Sequence, residues 1–198
     1  MKRALQKSEK MDQNTFQFIL STTEQLIKEK GCQQTTLQDI MERTGLSKGA
    51  IYHYVKSKNE LFGKILLGYM EELNHSFHEA VNQSKDKDVR KPVQALVSSF
   101  AEREVSNLIF IYLLSQRHNM KTVAILEEVH QNSLLLSETW IKVGQEHGAI
   151  PADVDAKSFA SMFVTLSYGL RINQLLDKNP DRQAAKLQDM FLLMVGAL

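Results

Sequence analysis

The chain has 198 residues, 43% of them hydrophobic and 24% charged, the make-up of a soluble globular protein able to bury a core without staples. Its single cysteine, Cys32, excludes an internal disulfide framework and a cysteine-rich zinc site. The charged opening does not read as a secretory leader, no apolar run reaches bilayer length, and a cytoplasmic protein is expected. The net charge is only +1, yet residues 1–64 carry 11 Lys/Arg against 7 Asp/Glu and residues 65–198 carry 13 against 16. A basic head on a mildly acidic body is what a modular DNA binder shows.

Three prolines and nine glycines leave room for long helices and little for a many-turned β fold. Phe16, Ile19, Leu20, Thr23, Leu26 and Ile27 recur at three- and four-residue spacing on one helical face. Asp12 or Asn14 is the expected cap of that helix and Gly31 its stop. Thr36 caps a short second helix with Leu37, Ile40 and Met41 on one face, and Asp39, three residues on, is placed to reach back to it. Thr44-Gly45-Leu46 reads as a tight turn, with Gly45 in the left-handed conformation. Ser47 then caps a third helix from Lys48 to Tyr54.

Ser57-Lys58-Asn59-Glu60 is a Ser-x-x-Glu capping box opening a fourth helix, which carries Leu61, Phe62, Ile65, Leu66 and Tyr69 and runs to about Val81. Residues 82–91 are polar and read as a loop, and Pro92 suits the next helix start. Two or three helices follow between Val93 and His147, where His147-Gly148 ends the last. After a loop at 149–155, a helix from Asp155 or Ser158 carries Phe159, Met162, Phe163, Leu166, Leu170 and Leu175. Asn179-Pro180 breaks it, and a final helix from about Asp181 bears Leu187, Met190, Phe191 and Met194 on one stripe.

The informative stretch runs from Thr35 to Leu61. Two short helices joined by a glycine turn make a helix-turn-helix. Leu37, Ile40, Leu46, Ile51 and Tyr54 are spaced to bury together, which turns Lys48, Gly49, Ala50, Tyr52 and His53 outward. Small residues at Gly49 and Ala50 let the third helix approach base edges in a major groove. Thr36, at a helix N-terminus, is a phosphate-docking candidate. Lys58 opposes the dipole of its own helix start, which hints at an external anion.

The run Thr35-Thr36-Leu37-x-Asp39-Ile40, then Gly45-Leu46-Ser47-Lys48-Gly49-Ala50-Ile51-Tyr52-x-Tyr54, then Lys58-x-x-Leu61 resembles the DNA-binding domain of the TetR family of one-component regulators over about residues 12–66. Two positions depart mildly from that pattern: Cys32, where an aromatic or larger aliphatic residue is common, and Tyr54-Val55. The resemblance implies an all-α homodimer, with a three-helix DNA-binding domain at 1–56 and a helical ligand-binding and dimerisation domain at 57–198. It implies DNA-facing positions for Thr36, Ser47, Lys48, Gly49, Ala50, Tyr52, His53 and Lys58. Tyr52, His53 and Lys58 would mostly meet phosphates, and Lys48 a phosphate or a guanine. The implied function is repression of a near-palindromic operator, relieved by a small molecule, with pairing through the last two helices.

Other readings weigh against these. Lys2, Arg3, Lys7 and Lys10 read as a frayed terminus or a minor-groove arm. His75 and His78 have metal-compatible spacing but no third ligand, and no metal or cofactor is expected. Cys32 reads as a small buried hydrophobe, with redox sensing the alternative. Phe100, Phe110, Tyr112, Trp140, Phe163 and Tyr168 are cavity or core residues, with Gln116, Arg117, His118, Arg171 and Asn173 as polar candidates for a ligand; no pocket list follows from them. An enzyme would need a phosphate-cradling glycine loop, a nucleophile elbow or a His-Glu-x-x-His run, and the sequence has none of these. A ligand-independent architectural DNA protein is the third reading.

Overall fold

The computed structural model describes residues 2–83, 104–148 and 150–176. Among these residues the chain forms helices and no strand: α1 (Lys2–Gln34), α2 (Leu37–Thr44), α3 (Lys48–Tyr54), α4 (Lys58–Gln83), α5 (Glu104–Ser115), α6 (Met120–Glu146) and α7 (Ala156–Leu176). The expected helix start at Pro92, Phe100 and the final helix from Asp181 lie outside the described residues.

α1 begins at Lys2, well before the expected caps. Between Lys2 and Lys30 there is neither glycine nor proline, and a run rich in Leu, Lys, Glu and Gln has nothing to stop it. Asp12 and Asn14 are therefore interior residues of α1, and Asp12 has another task, described below. The expected stop is real in the backbone: Gly31 leaves helical geometry at φ 78°, ψ 165°. The segment after it closes back on the Gly31 carbonyl, which accepts from the Thr35 N–H at 3.2 Å and from its hydroxyl at 2.9 Å.

The described residues fall into two compact units. The first comprises α1 to α3, α4 as far as Leu66, and Val105–Leu126. Its core takes the inward face of α1 (Ile19, Leu20, Leu26 and Ile27), with Ile40 of α2, Ile51 of α3 and Leu61, Phe62 and Ile65 of α4. Burial of apolar side chains at about 1.5–3 kcal/mol each supplies the cohesion of such a bundle.

The second unit holds the rest of α4, α6 from Glu127 onward, and α7. Leu73 and Phe77 of α4, Trp140 of α6 and Phe163 of α7 form one buried cluster. Trp140 lies 5.5 Å from Phe77 and 6.2 Å from Phe163 between ring centroids, and its indole N–H donates to Asn74 Oδ1 at 2.8 Å. Ile141, Ile150 and Phe159 make a second cluster. Asp155 caps α7, accepting from the backbone N–H of Ser158 at 3.2 Å and from its hydroxyl at 2.6 Å. The apolar stripe expected on α7 is split: Phe159 and Phe163 are buried, while Met162 and Leu175 are exposed.

Candidate nucleic-acid interface

The helix-turn-helix is assembled from local signals that the structure satisfies one by one. Thr36 Oγ1 accepts from the Asp39 N–H at 3.2 Å, and Asp39 Oδ2 accepts from the Thr36 N–H at 2.7 Å. This reciprocal box fixes the start of α2 and is worth about 1 kcal/mol. Gly45 ends α2 at φ 69°, ψ 9°, with its N–H on the Met41 carbonyl, a left-handed conformation open to glycine without penalty. Ser47 accepts from the Ala50 N–H at 3.2 Å and starts α3. Val55, in extended conformation, ends α3 with its N–H on Ile51 O.

Two faces of α3 result. Ile51 and the following Val55 are 0% and 1% exposed. Ser47, Lys48, Gly49 and His53 are exposed, Ala50 is half-buried, and Tyr52 is 44% exposed. Lys48 Nζ lies 5.7 Å from the Tyr52 ring centroid, one turn along, a cation–π approach that pre-orders both side chains. Leu37, Leu46 and Tyr54, expected in the core with Ile40 and Ile51, are half-buried.

Tyr54 shows how α3 is held at its far end. Its ring stacks on Phe16 at 5.2 Å with an interplanar angle of 16°. Its hydroxyl donates to Asp12 Oδ1 at 2.5 Å, and that bond raises the phenol's pKa above its ordinary value. Asp12 Oδ1 also lies 3.9 Å from His53 Nε2. Asp12 is thus an anchor for α3 rather than a cap for α1, a pairing across 42 positions that no local pattern announces.

The α1–α2 junction is laced in the same way. Arg43 donates two parallel bonds to Glu29, at 2.9 and 2.8 Å, and Lys30 Nζ lies 2.6 Å from Asp39 Oδ1. Lys30 and the Thr36 cap together hold the Asp39 carboxyl down to about 2. A groove of about 400 Å³ there is lined by Leu26, Glu29, Lys30, Asp39, Glu42 and Arg43, charged walls already paired with one another. One expectation changes as a result. The Thr36 hydroxyl donates to Asp39 Oδ2 at 2.6 Å, so the N-terminus of α2 already carries an anion from its own chain.

Lys58 differs more. Its ammonium donates to the carbonyls of Cys32 at 3.0 Å and Gln33 at 3.3 Å. It sits 4.8 Å from the Tyr112 ring centroid and 5.7 Å from that of Phe62. The anion inferred from the dipole argument has an internal substitute, the last carbonyls of α1. The Ser57–Glu60 box is also shifted by one residue. Ser57 Oγ accepts from the Glu60 N–H at 3.1 Å, whereas Glu60 accepts from the N–H of Lys56 at 2.8 Å.

Of the remaining candidates, Cys32 is buried, and burial pushes its thiol up to about 11, the opposite of what a redox-sensing thiolate needs. Among the described residues no group of three metal-ligating side chains gathers; His75 faces Glu79 at 3.6 Å on α4. Trp140 and Phe163 are core, as is Phe110. Gln116, Arg117 and His118 lie in the α5–α6 turn, and Asn173 is exposed on α7. Tyr168 stands apart: its hydroxyl lies 3.0 Å from His130 Nδ1, and desolvation by burial is the main cause raising its pKa. Sequence reasoning missed His130, whose partner is 38 positions away.

A cap-defined helix-turn-helix with an outward second helix, in a chain whose described residues form helices and no strand, defines a DNA-binding transcriptional regulator of the helix-turn-helix class. Residues 19–65 match the family described as bacterial regulatory proteins, tetR family. The chain is 26% identical over 143 residues to the HTH-type transcriptional repressor KstR2 of Rhodococcus jostii (strain RHA1), covering 70% of this chain and 69% of that one. It is 26% identical to the HTH-type transcriptional regulator AcrR of Shigella flexneri over 94% of each chain. A TetR-family regulator structure from Syntrophomonas wolfei superposes with a TM-score of 0.76 at 18% identity, covering 94% of this chain and 97% of that chain. Residues 19–65 thus match the DNA-binding domain of the tetR family, and the chain is similar over most of its length to regulators of that family. These relatives are regulators rather than enzymes, and no helix among the described residues is long and apolar enough to cross a membrane.

Proposed function

We propose that the protein is a homodimeric repressor, acting in the cytoplasm, that holds a near-palindromic operator through two copies of α3 and is released by a small molecule bound in its C-terminal half. The observation that carries this reading is the division of α3, with Ile51 buried and Lys48, Gly49, Tyr52 and His53 exposed. Lys48 has the reach for a guanine or a phosphate, and Gly49 and Ala50 let the helix lie close to base edges. Tyr52 and His53 meet the backbone beside them, and Ser47 and Thr36 mark the helix starts nearest the phosphates. For Thr36 this contact requires its hydroxyl to turn away from Asp39.

Pairing through the last two helices is supported by the outward face of α7. Met162, Ile172, Leu175 and Leu176 are exposed there, Leu176 at 77%. A large apolar face at the end of a small unit is a surface a second copy would cover. The remaining stripe of Leu187, Met190, Phe191 and Met194 lies outside the described residues. The second unit combines apolar side chains with a small polar group, His130 and Tyr168, which is the make-up of a small-molecule site. Release then follows if the ligand prefers a body shape in which the two heads are wrongly spaced, and operator and ligand must weaken each other by the same factor.

Selection of bound fragments from a random duplex pool tests this. The expected product is a two-fold symmetric site with half-sites about 10 bp apart, or a multiple of that spacing, bound by two protomers. A pool that gains no sequence preference would overturn the operator reading and favour an architectural role.

A further inference from the structure

An acidic side chain stands at the exposed end of α3. Asp12 and His53 keep 55% and 67% of their side-chain surface exposed, and Asp12 Oδ1 lies 3.9 Å from His53 Nε2. His53 is one of the residues assigned to phosphates in the DNA-binding reading above, so the Asp12 carboxylate lies within a few ångströms of a position meant for an anion. At that range two like charges in water repel enough to weaken binding about threefold. A head that holds DNA gains nothing from such a charge unless the charge discriminates.

The same oxygen has a second task. Tyr54 donates its hydroxyl to Asp12 Oδ1 at 2.5 Å, and that hydroxyl also lies 3.3 Å from the Asp12 carbonyl. The Tyr54 ring stacks on Phe16, and Lys64 Nζ lies 6.0 Å from the Phe16 ring centroid. The His53 ring meets Tyr54 edge-on at 5.0 Å. His53 and Tyr54 are neighbours on the last turn of α3. One carboxylate therefore addresses both the side chain that fixes the pitch of that helix and the side chain that would reach the duplex. A neutral acceptor would also take the phenol proton, so it is the negative charge that needs a reason.

We propose that Asp12 is a specificity-determining residue: through Tyr54 it holds the end of α3 at its pitch, and through its charge it repels a duplex whose phosphates do not seat on His53. The proposal rests on the DNA-binding reading above. Non-specific binding is almost wholly phosphate attraction, so a carboxylate on the contact face subtracts from it directly. In the operator complex His53 stands between the carboxylate and the phosphate, and the base contacts of α3 depend on the pitch that Tyr54 fixes. Asp12 widens the gap between operator and random DNA by opposing the wrong complex as well as supporting the right one.

Two substitutions separate the charge from the bond. Asp12→Asn removes the charge and keeps an acceptor for Tyr54. Tyr54→Phe removes the bond and keeps both the charge and the stacked ring. Each variant, as the full chain, is titrated against the site recovered by selection and against a random duplex of equal length, at several salt concentrations, with folding confirmed by circular dichroism.

Asp12→Asn is expected to bind the random duplex about threefold more tightly per protomer, with a gain that fades as salt rises, while its operator affinity changes by less than about twofold. Tyr54→Phe is expected to lose about tenfold on the operator and to keep the parental affinity for random DNA. A gain of equal size on both duplexes in Asp12→Asn would make the charge a uniform penalty and overturn the proposal. Parental affinity for both duplexes in that variant would also overturn it, leaving Asp12 a packing contact. So would Tyr54→Phe at parental operator affinity, because the end of α3 would then not depend on the carboxylate. If Tyr54→Phe does not fold, Asp12→Asn decides alone: a gain confined to random DNA upholds the proposal, and any other outcome overturns it. A parent protein that binds no duplex, or binds all duplexes alike, overturns the DNA-binding reading itself, a different and recognisable failure.

Discussion

Both compact units have apolar cores, but they differ in what their polar side chains do. In the first, several polar side chains close a helix end or join two helices: Thr36 with Asp39, Ser47, Glu60, Arg43 with Glu29, and Tyr54 with Asp12. In the second, aromatic packing around Trp140 dominates, with a few polar pairs such as Asn74–Trp140 and His130–Tyr168 inside it. The contrast teaches a division of labour. A head whose short helices are fixed by caps can leave the outward face of α3 free for a partner. A body held by large apolar side chains can adapt its interior to a ligand.

The largest expected effect tests the body. Phe77→Ala removes a buried ring from the Trp140 cluster and should cost about 3–5 kcal/mol in urea unfolding. A loss below about 1 kcal/mol would show that the cluster is not what holds this unit. Next comes the head's exposed face. Lys48→Ala or Tyr52→Ala should weaken operator binding by about 1–3 kcal/mol while the unfolding midpoint stays put. Lowered stability with unchanged DNA affinity would reverse the roles assigned to these residues.

Gly45→Ala comes third. Its Cβ would meet nothing within 4 Å, so the cost is backbone strain alone, about 1–2 kcal/mol at φ 69°. A neutral substitution would mean the turn does not need its left-handed residue. The smallest effect is acid sensitivity. The Asp39 carboxyl is depressed to about 2, so its stabilisation is complete above its unfolded value near 4, about 3.9, and fades as pH falls toward 2. Asp39→Asn should flatten the stability curve only in that window, and modestly, because the group is partly solvated. A flattening above pH 5 instead would point to another carboxylate.

The same contrast explains what could be read from the residues. The start and end of α2, the start of α3 and the Gly45 turn rest on partners within four positions, so their chemistry is visible in sequence. The true start of α1 was not, because Asp12 resembles a cap when read locally and its actual partner, Tyr54, lies 42 residues on. For Lys58 a dipole argument shows that a counter-field is needed, but not that the Cys32 and Gln33 carbonyls lie within reach to provide one. In the body, helical periodicity marked the elements and Asp155 their boundary. Which apolar residues of α7 point inward depends on where α4 and α6 lie, so Phe163 and Met162 could not be told apart. His130 and Tyr168 meet only because α6 and α7 are folded together.

The central claim is that the outward face of α3 enters a major groove, twice per operator. Methylation interference reads this directly, since guanine N7 lies in the major groove and adenine N3 in the minor. The account predicts that N7 methylation within each half-site abolishes binding, in two clusters about one helical turn apart or a multiple of that spacing, and that Lys48→Ala removes the dependence on at least one guanine. Interference confined to adenine N3, or spread evenly along the duplex, would contradict it.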